Sequence, residues 1–86
     1  MHKYLVSLGI YPEYKGYKYI KYALENKIRS LKELKEHLPN VSYSNLDRNI
    51  RYVIQQQYDK MKHIVPRPII SSLLSSLIED YYGNTN

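Results

Sequence analysis

Asn45, Arg48 and Tyr52 recur at the i, i+3, i+7 spacing that lines one face of a helix, with Arg51 and Gln55 flanking them. These residue types share one chemistry. Asn and Gln can hold adenine through two hydrogen bonds, and Arg can hold guanine in the same bidentate way. A helix presenting them together could read base edges in the major groove of double-stranded DNA. Ser42 and Ser44 stand at the start of this stretch, where hydroxyls and helix N-terminal amides could hold a phosphate. A second group lies upstream in YPEYKGYKYIKY, residues 11–22, where five tyrosines and three lysines surround Gly16. There Lys15 and Lys18 are further candidates for phosphate contact. Polar residues opposite an apolar stripe are also what any solvated helix shows, so spacing alone leaves both readings open.

The elements that must carry these residues are helical throughout, with no strand signal. The sequence predicts an all-α fold, a small helical bundle of about five helices containing a helix-turn-helix. Met1, Tyr4, Leu5 and Leu8 mark a short first helix that Gly9 can end in a left-handed turn. A second helix is expected over 16–28, with Tyr17, Ile20, Ala23, Leu24 and Ile28 inward and Lys18, Tyr19 and Tyr22 outward. Gly16 is expected to give the backbone freedom to turn into it. The capping pattern S30-L-K-E33 starts a third helix, buried through Leu31, Leu34 and Leu38. A second start, S44-N-L-D47, opens a fourth helix over 44–62, with Leu46, Ile50, Val53, Ile54, Gln57 and Met61 on one side. The short helix, turn and longer helix over 30–62 have the sequence form of a helix-turn-helix. After the proline-bound linker IVPRP, a last helix over 68–82 carries an apolar stripe from Ile69 to Tyr81 opposite Ser71, Ser72, Ser75 and Ser76. Ile70, Leu73, Leu74 and Leu77 in that stripe could close the core or serve as an interface, for example in a homodimer.

The 86 residues suffice for one domain, taken as 1–86, and a domain of this size has a thin core. With no Phe and no Trp, tyrosine is the only aromatic left to fill it. There is no cysteine, hence no disulfide framework and no Cys-based zinc site. No run approaches a membrane span, and MHKYLVSLGIYPEY lacks the apolar length of a signal peptide, so a cytoplasmic protein without membrane contact is expected. The net charge is +5 and the isoelectric point about 9.4, a modest footprint for nucleic acid. Residues 1–68 hold all 13 Lys and Arg, whereas Glu79 and Asp80 are the only charges beyond them.

Two segments resemble a known family. LGIYPEYKGYKYI, residues 8–20, is similar to the start of the C-terminal DNA-binding (effector) domain of the sporulation master response regulator, where a Gly-Ile/Val-Pro stretch leads into Lys-Gly-Tyr and a helix. SNLDRNIRYVI, residues 44–54, resembles that family's recognition helix, matching it by identity at Ser44, Arg48, Ile50, Arg51 and Ile54. The two segments stand in the family's order, and with the linking helices the likeness covers most of residues 3–62. The resemblance implies a bacterial-type transcription regulator that binds promoter DNA and contacts RNA polymerase sigma factor, here as a stand-alone domain without the receiver. It departs from the family at three reading positions. Asn45 stands for Arg, Asp47 for Glu and Tyr52 for His, so the target sequence is left open.

Other chemistry is not signalled. His2, His37 and His63 share no metal-ligand spacing, and Glu33 and Glu36 fit a solvated helix face. No nucleophile–base arrangement, phosphate loop or cofactor motif stands out, so an enzyme is not expected and no cofactor is implied. One rival remains: the same scaffold used as a protein-binding module, a small inhibitor or adaptor of the kind mobile elements carry, with little DNA reading. Stoichiometric capture of one protein together with weak DNA affinity at low salt would mark that alternative.

Overall fold

The chain breaks twice in the same way. In the computed structural model, which describes residues 1–83, the first helix, α1, spans His2–Ser7 and the second, α2, spans Tyr17–Glu25. After α1, Gly9 turns left-handed at φ +78°, and the amides of Gly9 and Ile10 close on the carbonyls of Val6 and Leu5. After α2, Lys27 takes φ +54°, and the amides of Lys27 and Ile28 close on Leu24 and Ala23. Both are Schellman closures, and each drives the isoleucine that follows into the core, where Ile10 and Ile28 are fully buried. The sequence signalled the first through its glycine. The second was expected to be helix as far as 28, because Ile28 continues the apolar spacing.

Ser30 caps the third helix, α3 at Leu31–His37, with its hydroxyl accepting the Glu33 amide at 3.1 Å, as its capping pattern predicts. The fourth helix, α4, spans Tyr43–Met61 and begins earlier than expected. Its cap is Ser42, extended at φ −67°, ψ 150°, whose hydroxyl accepts the Asn45 amide at 3.1 Å. Ser44 therefore lies inside the first turn. Asp47 lies beyond it and pairs instead with Arg51, one turn on, at 2.8 Å. The last helix, α5, spans Ile70–Gly83, not 68–82. A tight turn from Ile69 N–H to the Arg67 carbonyl at 2.8 Å holds Pro68 and Ile69 outside it, and Ile69 is left 42% exposed.

Against α4 pack α2, α3 and α5, and α2 also meets α5, so the fold is an all-helical bundle with no strand among the described residues. The single domain expected over 1–86 includes residues 84–86, which lie outside the described residues. The buried core is aliphatic. Leu5, Ile20, Leu24, Leu46, Ile50 and Leu74 are among its closed positions, and among the described residues no polar or charged side chain is buried. Only one tyrosine, Tyr19, joins this core. Core filling, expected of tyrosine in part, thus falls to this one residue. Tyr4, Tyr14, Tyr17, Tyr22, Tyr58 and Tyr82 instead rim the core, half-buried, because each has a hydroxyl that must reach a polar partner.

The inward and outward assignments on α2 shift accordingly. The buried arc holds Tyr19, Ile20, Ala23 and Leu24, so Tyr19 is inside, contrary to expectation. Tyr17 falls at the edge of the arc, and its hydroxyl meets His2 Nδ1 at 2.6 Å. Gln57 is half-buried on the side of α4 expected for it, and its amide donates to the Tyr14 hydroxyl at 2.7 Å. Nor is the α5 stripe a free interface. Leu73, Leu74 and Leu77 are fully buried within the chain and Ile70 is 8% exposed.

Candidate nucleic-acid interface

Gly16 seats the site. A Cβ there would lie 2.5 Å from the Asn49 carbonyl oxygen and 3.1 Å from a Val53 methyl, so only glycine lets this segment lie directly on α4. The expected reason, backbone freedom, is replaced by close approach, since Gly16 sits at an ordinary φ of −74°. The contact carries residues 12–19 alongside the first half of α4. Between them lies a cleft of about 480 Å³, lined from one side by Lys15, Lys18 and Tyr17 and from the other by Asn45, Arg48 and Asn49. An adjoining hollow of about 360 Å³ continues it between Tyr14, Lys15, Arg48 and Tyr52.

Five of the nine side chains that sequence spacing singled out for DNA thus share one concave surface: Lys15, Lys18, Asn45, Arg48 and Tyr52. Lys15 and Arg48 have no carboxylate partner among the described residues. The Lys18 ammonium lies 5.3 Å from the centre of the Tyr19 ring, a cation–π contact that leaves it open to an anion. Glu13 is the one carboxylate in the lining, against these three cations. The other four stand apart. Gln55 is exposed away from the cleft. Arg51 is held by Asp47, whose hydrogen bond and charge raise its pKa above the usual arginine value. Ser42 accepts the α4 amide as cap, its Oγ also lies 3.5 Å from that of Ser44, and both serines are exposed outside the cleft lining.

Asn49 and Tyr14 are members that sequence reasoning missed. The Asn49 amide nitrogen donates to the Asn45 main-chain carbonyl at 3.0 Å and also to the Asn45 side-chain oxygen. This pairing fixes the Asn45 side chain against the helix, leaving the Asn45 amide nitrogen, with its two N–H donors, and the Asn49 side-chain oxygen without partners among the described residues. The i, i+4 spacing of two asparagines was the signal available for it. Tyr14 meets Tyr52 edge-on, with centroids 6.0 Å apart, and its hydroxyl is tied to Gln57. A braced aromatic wall results, and Tyr52 remains 50% exposed on it. No group of three metal-ligating side chains occurs among the described residues, and no helix among them is long and apolar enough to cross a membrane. Comparison with protein-family models, curated proteins and solved structures finds no match.

Proposed function

We propose that the protein is a non-enzymatic transcription regulator that binds double-stranded DNA with sequence preference, using α3 and α4 as a helix-turn-helix. One observation carries this reading: residues from two distant segments, Lys15 and Lys18 in one and Asn45, Arg48 and Tyr52 in the other, converge on a single basic surface. In the proposed complex the first half of α4 enters the major groove, Arg48 and Asn45 meet base edges, and the lysines meet the flanking backbone. The likeness of residues 8–20 and 44–54 to the sporulation regulator's effector domain supports the same arrangement, with RNA polymerase sigma factor as the further partner it implies. Such a regulator acts in the cytoplasm.

Selection of bound duplexes from a random pool at near-physiological salt tests this. An enriched motif is expected, and a palindrome or direct repeat within it would report a homodimer. Arg48→Ala should weaken binding to that motif by about 1–3 kcal/mol and relax preference at one base pair. Lys18→Ala should weaken all duplexes alike and lower the salt slope by about 1. Failure to enrich any motif, or a motif indifferent to Arg48, would sink the reading.

A further inference from the structure

We propose that the cleft between residues 12–19 and α4, together with the adjoining hollow beside Tyr52, holds a single unstacked nucleotide. The reasoning begins with shape. The cleft's volume of about 480 Å³ falls within the range of about 300–1,000 Å³ typical of small-molecule sites. A base pair still in its stack presents only an edge and cannot enter a concavity of this kind, whereas a base that has left its stack can. Groove reading uses the rim of this surface and leaves its depth unfilled, and something smaller than a duplex fits that depth.

The chemistry of the walls names that occupant. Lys15, Lys18 and Arg48 supply charge for one phosphate and outnumber Glu13. In the adjoining hollow, Tyr52 offers an exposed ring, braced by Tyr14, on which a base can stack. The Asn45–Asn49 pair supplies a free amide NH2 and a free side-chain oxygen, enough to hold a base edge by two hydrogen bonds. Phosphate, ring and edge are the three things that distinguish a nucleotide from a simple anion or a simple aromatic, and each has its counterpart here. The site shares Lys15, Lys18, Asn45, Arg48 and Tyr52 with the proposed duplex surface, so one occupant excludes the other. Its nucleotide could be free or could belong to a single strand, and the ligands below separate these sources.

The test is a chemical-shift titration of the full chain with deoxyadenosine monophosphate, inorganic phosphate, a short oligodeoxyadenylate, and that strand paired with oligothymidylate. Saturable shifts are expected at Lys15, Asn45 and Asn49 with the mononucleotide. Inorganic phosphate should bind at least about tenfold more weakly, because it cannot stack. Lys15→Gln combined with Lys18→Gln, both exposed positions, should weaken the mononucleotide by about tenfold. Tyr52→Leu should do the same by removing the platform. A strand that binds tighter than the mononucleotide would place the site on single-stranded nucleic acid. A strand no tighter would make the free nucleotide its ligand. Phosphate binding as tightly as the nucleotide, or shifts unaffected by all three substitutions, would overturn the proposal. So would a duplex that shifts these residues while neither mononucleotide nor strand does, an outcome that leaves duplex reading intact.

Discussion

Gly16 carries no side chain because the Asn49 carbonyl occupies the place a methyl group would take. With the Gln57–Tyr14 and Lys60–Tyr11 hydrogen bonds, that contact sets how close Lys15 and Lys18 come to Arg48. Gly16→Ala must push the segment off α4. It should cost about 1–3 kcal/mol, the usual range for forcing an extra carbon into a packed contact. The urea midpoint should fall, and the resonances of Asn49 and Val53 should move with it. The arginines make a second contrast at this scale. Both matched the family by identity, so residue type could not rank them. Their neighbours do, because Arg51 is engaged by Asp47 at 2.8 Å and Arg48 has no such partner among the described residues. Arg51→Ala should therefore reduce duplex affinity by less than about 1 kcal/mol, below the loss at Arg48. A fluorescence-anisotropy titration of both variants decides it.

Each helix boundary was as legible as the residue that makes it is distinctive. Gly9 and Ser30 are strong signals, and the structure uses both as expected. Lys27 takes the same left-handed conformation as Gly9, but nothing in a lysine announces it, and Ile28 extends the apolar spacing past the true end. Two serines competed at the start of α4. Ser44 had an acid three residues on, yet Ser42 makes the cap because it is the one in extended conformation. These assignments can be checked on the helices themselves. Ser30→Ala and Ser42→Ala should each cost about 1 kcal/mol, whereas Ser44→Ala should cost little, as read from thermal unfolding. Ser42→Ala should also fray the turn that bears Asn45, linking the stability of α4 to its proposed reading surface.

Across the whole molecule, tyrosine hydroxyls tie elements that the aliphatic core only presses together. Tyr4 donates to Asp80 at 2.7 Å and joins α1 to α5, Tyr82 donates to the Leu24 carbonyl at 2.9 Å and joins α5 to α2, and Tyr58 holds the linker at Val65. Burial first, then the hydrogen bond to Asp80 and its charge, push the Tyr4 phenol far above its ordinary pKa of 10.0. The unfolded chain releases this proton near pH 10 while the folded protein keeps it. The contribution is thus complete below that pH and is lost as pH rises above it. Stability measured by urea titration should fall in alkali, and Tyr4→Phe should flatten the fall. The sequence made the bundle legible, because apolar spacing repeats in every helix. It also named both walls of the cleft. Their meeting was not legible, since residues 12–19 and α4 are distant in the chain and the contact rests on a glycine expected to serve another purpose.

The rim of tied tyrosines has an analytical consequence. Since tyrosine is the only aromatic, reagents and spectra that respond to phenols report on nothing else. Two of the phenol rings stand out as the most exposed, Tyr43 at 53% and Tyr52 at 50%. Tyr52 lines the hollow and Tyr43 does not. Mild iodination or nitration should mark this pair first, and an occupant of the cleft should shield Tyr52 alone. Tyr43 then serves as the unshielded standard, so a single peptide map gives occupancy as a ratio.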